Sequence, residues 1–341
     1  MNNHDFSYFL TSFLSKYLPG QKNASPNTIS SYADTFKLLL IYYDSEKGIK
    51  PEHLNLSRFS SEYIIEYLEW LEVKRNCSIT TRNQRLVAIH SFCHYVQFQT
   101  PENLYNIQQI LHIPYKKCAK TVVSYLTGDE MRILLAQPDI HTEKGRRNLV
   151  MLVTLYDTAA RVQELIDLKE KDIRLTNPVT ITLHGKGNKT RQIPISGKTA
   201  TLLDGYLRSK LPSNKFSPGD RHVFLNQKNQ PLSRWGVSYI INKYVDSARK
   251  DLGFTVSFPI TPHIFRHSKS VHLLQAGVNI IYIRDFLGHV DCSTTEIYAR
   301  ADTEMKRKAI EAAYEDVLPH KEFLSWTNDK NLMDFLNSLG S

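Results

Sequence analysis

Apolar positions in the first hundred residues recur every three or four places, the period of helices with one buried face. In SPNTISSYADTFKLLLIYY, Ser25 is placed to cap, Pro26 suits a first helical turn, and Ile29, Tyr32, Phe36, Leu40 and Tyr43 form a stripe. A second stripe runs through Ile64, Ile65, Leu68 and Leu71. A third segment, SITTRNQRLVAIHSFCHYV, turns Leu86, Ile89 and Phe92 towards a core and brings Arg82 and Arg85 out near its start. There a helix N-terminus and basic side chains together suit phosphate groups. The periodicity stops at HIPYKKCAKTVVSY, where Pro114, Lys116, Lys117 and Lys120 mark a basic linker. It resumes at TGDE, a capping box with Thr127 as N-cap and Glu130 reaching back. The helical RRNLVMLVTLYDTAARVQELIDL follows, then two short alternating runs, VTITL and RQIPI, around a polar turn, and a helix after Ser233. The pattern predicts a mainly α protein with a small β-sheet: a helical domain over 1–112, a linker over 113–125, a second domain over 126–318 and a helical tail over 319–341.

A chain of 341 residues accommodates two cores of ordinary size, and 41% hydrophobic with 23% charged residues is the composition of a folded protein. The balance of 43 Lys+Arg against 34 Asp+Glu, a formal charge of +9, favours a polyanionic partner without identifying it. No apolar run reaches the length of a membrane span, and MNNHDFSYFL lacks the basic-then-apolar order of a signal peptide. A cytoplasmic location with no membrane partner is expected. The cysteines Cys77, Cys93, Cys118 and Cys292 are scattered without CxxC spacing, which predicts reduced thiols rather than a disulfide framework or a zinc ribbon.

The stretch TPHIFRHS carries the first chemical signal. His263 and Arg266 stand at i and i+3, on one face of a helix, so a titratable ring sits beside a fixed fork of cationic donors. That pair suits chemistry on a phosphate, although alone it fits a helix start with a surface arginine and a capped histidine better. His263 and His267, at i and i+4, have the spacing of a zinc helix, but no HExxH glutamate and no nearby cysteine accompany them, so neither metal nor cofactor is expected. Three more stretches add to the pattern. YDTAARVQELIDL places Arg161 at a turn between apolar helices, with Glu164 three residues on. HGKGNKTRQIPI is a hairpin tip with Lys186, Lys189 and Arg191. In RDFLGHVDCSTTEIYAR, His289 follows Gly288 and Tyr298 comes nine positions later.

In their order and spacing these four stretches resemble the tyrosine recombinase, or phage integrase, family, over nearly the whole chain. TAARVQEL is similar to the block with the family's first catalytic arginine, GKGNKTRQIPI to its lysine hairpin, TPHIFRHS to its HxxR block, and LGHVDCSTTEIYAR to its histidine and nucleophile block. One departure is visible: Ala159 and Ala160 occupy positions where the family usually has glycine and a bulky residue. The resemblance implies a helical, SAM-like core-binding domain and a mixed α/β catalytic domain. It implies that Tyr298 attacks a DNA phosphodiester to form a 3′-phosphotyrosyl link, with Arg161 and Arg266 stabilising the developing charge and Lys186 protonating the departing 5′ oxygen. His263 would be the general base, His289 would bond the phosphate, and Glu164 and His267 would support them. Arg82, Arg85, Lys116, Lys117, Lys189 and Arg191 are expected to contact DNA.

The implied partner is double-stranded DNA with paired inverted core sites, bound by a homotetramer whose subunits are monomeric or weakly associated when free. In the tail, Leu332, Phe335, Leu336 and Leu339 form an apolar stripe, to be buried on the chain's own catalytic domain or donated to a neighbouring protomer. The expected task is to integrate, excise or transpose a mobile element, with resolution of chromosome or plasmid dimers as the alternative. A type IB topoisomerase and a DNA-binding regulator that has lost catalysis are further alternatives.

Overall fold

A computed structural model of the chain describes residues 5–118, 123–185, 187, 189–209, 219–288, 295, 297, 298, 334 and 338. The chain divides into two compact units, Met1–Lys120 and Thr121–Ser341. Lys186, His289 and the tail stripe Leu332, Phe335, Leu336 and Leu339 lie outside the described residues.

The first unit is helical: α1 (Asp5–Ser12), a π-helical continuation Phe13–Gln21, α2 (Pro26–Lys47), α3 (Ser61–Val73), α4 (Ile79–Val96) and α5 (Leu104–Leu111). Serines begin three of these helices. Ser25, Ser60 and Ser78 each accept a hydrogen bond from the backbone N–H three residues on, satisfying a donor the helix cannot. The core centres on Phe92, whose ring lies 5.2–5.8 Å from those of Phe6, Phe13, Phe36 and Phe59. Burial of each such ring stabilises the unit by about 1.5–3 kcal/mol. Ile65 is exposed, unlike its neighbour Ile64. The buried face of α3 runs through Ile64, Tyr67, Leu68 and Leu71, and a rotation of about 100° per residue puts Ile65 outside it.

Arg82 also departs from its expected place. It is 5% exposed, its guanidinium donating to the Pro114 carbonyl at 3.2 Å and to Asn83 Oδ1 at 3.0 Å, with Glu72 3.7 Å away. The reason is that the segment after α5 folds back over α4. Ile113 is buried, the Lys116 backbone N–H donates to Asn83, and Lys116 Nζ pairs with Glu72 at 2.8 Å. The start of the expected linker is thus anchored to the first unit, with Lys117 exposed beside it. Arg85 is half-buried and donates to Thr35 Oγ1 and the Ser31 carbonyl.

The second unit runs through α6 (Gly128–Leu135), α7 (Glu143–Asp157), α8 (Val162–Asp167), three strands, α9 (Gly197–Ser209), α10 (Arg234–Ala248), α11 (Pro262–Gln275) and α12 (Ile280–Leu287). The strands β1 (Ile173–Arg174), β2 (Thr180–His184) and β3 (Thr190–Pro194) form an antiparallel sheet in that order, with Ile181 opposite Ile193 and Leu183 opposite Arg191. Ile181, Leu183 and Ile193 face the core, and the two-residue period puts Arg191 on the same face. The Thr127–Glu130 capping box opens α6, and the preceding Leu126 donates its backbone N–H to Ser268 on α11. No described helix is long and apolar enough to cross a membrane.

Candidate active site

The site is built where α7 ends and α8 begins. After Asp157 the backbone turns through Ala159 at φ +47°, a left-handed conformation that residues other than glycine adopt at a cost. This is one of the two alanines that depart from the family pattern, and the chain keeps the glycine-like geometry without the glycine. The turn delivers Arg161 to the N-cap position of α8.

Glu164, one turn into α8, is 4% exposed and organises the surrounding charges. It accepts from the Arg161 backbone N–H and from Arg161 Nη1, both at 2.8 Å, and it accepts a two-pronged pair from Arg191 at 2.8 and 2.7 Å. Burial alone would raise its carboxyl, but the bonds to Arg191 and Arg161 outweigh it and hold the group down at about 2. Arg191 also donates Nε to the Phe286 carbonyl and is 11% exposed. Its guanidinium donates to Glu164 and Phe286 and is largely covered, unlike the exposed hairpin-tip position expected for a DNA contact. Arg161 remains 40% exposed. Gly185, at the foot of the hairpin, lies so near that an added Cβ would stand 3.2 Å from Glu164 and 4.0 Å from Arg161. Lys189, across the hairpin, is exposed.

Helix α11 brings the HxxR block to the same turn. Arg266 is 3% exposed and donates to the Ala159 carbonyl at 2.7 Å and the Leu287 carbonyl at 2.5 Å. Burial, with positive Arg161 and Arg191 nearby, pushes its guanidinium below its ordinary value, yet it stays charged at neutral pH. Partial burial and the charges of Arg266 and Arg161 lower His263 below its ordinary value, so the ring is neutral at pH 7. The Leu287 carbonyl belongs to the end of α12, whose cap Gly288 is left-handed at φ +65° against the Arg191 side chain.

Tyr298 is 2% exposed, within an apolar cluster of Ala159, Val271, Leu274, Ile283 and Leu287. Its hydroxyl lies 3.1 Å from Nδ1 of His267. Burial raises this hydroxyl, against the opposite pull of Arg266, Ser270 and Arg161. Burial, then His263 and Arg266, push His267 down to about 4. The sequence assigned the base to His263, but the imidazole within reach of Tyr298 is that of His267. The signal was available, since His267 lies one turn beyond His263 on the same helix; what the sequence withheld was the path of the chain around Tyr298. His263 and His267 rings stack at 6.4 Å, and among the described residues no three His, Cys, Asp or Glu side chains group as metal ligands do.

Two arginines, two neutral imidazoles and a tyrosine around one turn form the kind of site that carries charge-stabilised transfer to a tyrosine oxygen. Residues 124–305 match the Phage integrase family, and residues 10–99 match the SAM-like N-terminal domain of phage integrases. The chain belongs to this family and is a tyrosine-type site-specific recombinase. Among its relatives are the integrase/recombinase y4rC of Sinorhizobium fredii, 36% identical over 97% of each chain, and the tyrosine recombinase XerD of Halalkalibacterium halodurans, 34% identical over 82% of this chain and 88% of the other. The fold is similar to that of XerH site-specific recombinase bound to palindromic difH substrate, with TM-score 0.67 and 22% identity over 89% of this chain and 84% of that one. It is also similar to the Tn1549 transposon integrase in complex with circular intermediate DNA, with TM-score 0.65 and 18% identity over 88% and 98%.

Proposed function

We propose that this recombinase cuts and rejoins double-stranded DNA in the cytoplasm through a 3′-phosphotyrosyl link. The Tyr298 oxygen forms a bond to the scissile phosphorus, the bond to the 5′ oxygen breaks, and Lys186 gives that oxygen its proton. Arg161 and Arg266 hold the non-bridging oxygens, where negative charge accumulates, and His263 and His289 donate to them. His267 takes the Tyr298 proton. In the described arrangement this transfer is uphill, because burial raises the tyrosine and lowers the histidine. A phosphodiester gripped by the arginines raises the proton affinity of His267 and of Tyr298 alike, so the proton passes to His267 as the tyrosine oxygen bonds to phosphorus and gives up its charge. The observation that carries this reading is the 3.1 Å contact of Tyr298 with a neutral imidazole on the helix that also bears Arg266.

On this reading four subunits act on two synapsed DNAs, each with paired inverted core sites, and each subunit donates its tail stripe to a neighbour. The task is to integrate, excise or transpose a mobile element. Full-length similarity to an integrase/recombinase supports this, while similarity to XerC and XerD proteins suits the resolution of chromosome or plasmid dimers as well. Inverted repeats about one core site apart beside the gene would favour the element. The chemistry is tested with Lys186→Ala on two substrates. Loss of rate on an ordinary phosphodiester, with the rate retained when the leaving oxygen is replaced by sulfur, which departs without a proton, is expected. Equal loss on both would make Lys186 a phosphate ligand instead of the acid.

A further inference from the structure

Three side chains on one face of α11, at intervals of three residues, grip the last turn of α7 and the turn that follows it. Arg266 donates to the Ala159 carbonyl, Lys269 Nζ pairs with Asp157 at 2.8 Å, and His272 Nδ1 meets the Tyr156 hydroxyl at 2.8 Å. The middle rung bears opposite charges and is well covered, with the Lys269 and Asp157 side chains 17% and 11% exposed. Asp157 does more than pair. Its second oxygen accepts the Ser196 backbone N–H at 2.9 Å, two residues past the end of β3. One carboxylate therefore joins the helix of the HxxR block, the turn that presents Arg161, and the exit of the strand that carries Arg191. Burial would raise the Asp157 carboxyl, and Lys269, Ser196 and Thr199 together hold it below its ordinary value, so it is ionised at neutral pH.

We propose that Asp157 and Lys269 are positioning residues that fix where Arg161 and Arg266 stand relative to one another, and so the aim of the phosphate clamp. Neither touches the substrate. The Ala159 carbonyl that receives Arg266 and the Arg161 backbone lie two and four residues beyond Asp157, so a slip of the ion pair moves both arginines. The inference rests on the arginine clamp of the proposed mechanism. A displacement of about 1 Å at reacting groups costs about 100-fold in rate, which sets the expected effect.

The test is single-turnover cleavage by Asp157→Asn and Lys269→Met, full-length and with DNA saturating. Each is measured on an ordinary phosphodiester and on a substrate whose scissile phosphate is a methylphosphonate. Replacing one non-bridging oxygen by methyl removes the negative charge that the arginines neutralise. The proposal expects a loss of about 100-fold on the phosphodiester, little loss on the methylphosphonate, and recovery of most of the phosphodiester rate in Lys269→Arg. Equal loss on both substrates would make the pair a general fold support and overturn the proposal, as would unchanged rates on both. Arg161→Ala is the control. If it too loses equally on both substrates, the clamp itself is wrong, a failure distinct from that of the ion pair. Hydrogen exchange across α7 and α11 separates a variant that has unfolded from one that has lost aim.

Discussion

Replacing Glu164 with glutamine removes the charge that Arg161 and Arg191 share while preserving the shape of the side chain. The carboxyl stands at about 2 against an ordinary 4.5, which at about 1.4 kcal/mol per tenfold corresponds to about 3 kcal/mol of folding stability at neutral pH. Most of this comes from Arg191, because Arg161 is 40% exposed and recovers water when released. Glu164→Gln leaves the Arg191 guanidinium buried without its counter-charge, and breaking such a pair costs about 3–5 kcal/mol. Native-state hydrogen exchange on peptides covering α8 and β3 should therefore accelerate by about 100-fold or more at pH 7. Glu164→Gln/Arg191→Met should be less affected than Glu164→Gln, since no unpaired charge remains. The pH dependence has a definite sign. A depressed carboxyl contributes its stability above the unfolded value and loses it as pH falls through the folded one, so parent and Glu164→Gln should converge between about pH 5 and pH 2. His267, held down at about 4, destabilises both proteins alike as pH falls from 6.5, and their difference isolates Glu164. Acceleration below threefold at pH 7, or a difference that persists in acid, would show that Glu164 does not hold Arg191 by charge.

At Ala159, glycine and valine should diverge. Glycine relieves about 1–2 kcal/mol of left-handed strain, offset by about 0.4–1 from unfolded-chain freedom and about 0.8 from the lost methyl, so its melting temperature stays near the parent's. Valine, β-branched in a buried left-handed position, should cost more than about 2 kcal/mol; equal melting temperatures for both variants would contradict the strain. Truncation after Leu318 should leave binding to a single site intact and abolish four-subunit assembly in gel-shift and sedimentation experiments. A truncated protein that assembles and recombines at the parent rate would exclude tail exchange.

Helices and their starts were legible because caps and apolar periods are local: Ser25 and the Thr127–Glu130 box each act within three residues. The hairpin strands were legible from their alternation. Two arginines are more buried than expected, although the pattern held the information. Arg82 stands four residues before Leu86, on the stripe that faces the core, and Arg191 stands two before the buried Ile193, on the inner face of β3. A cationic side chain at such a place is recognisable from its parity, and its partner is not. Glu164 was read as a support because it is three residues from Arg161. The contact of His267 with Tyr298, and that of Asp157 with Lys269, join residues 31 and 112 positions apart. No local spacing encodes pairs so distant; they follow from how α7, α11 and the nucleophile segment pack.

The central claim, that Tyr298 becomes covalently joined to DNA, is tested most directly with a nicked suicide substrate from which the cleaved fragment escapes. The parent should accumulate a denaturant-resistant protein–DNA complex, mass spectrometry of its peptides should place the nucleotide remnant on Tyr298, and Tyr298→Phe should bind the same DNA with unchanged affinity yet form no complex. A covalent complex with Tyr298→Phe, or a remnant mapped to another residue, would contradict it.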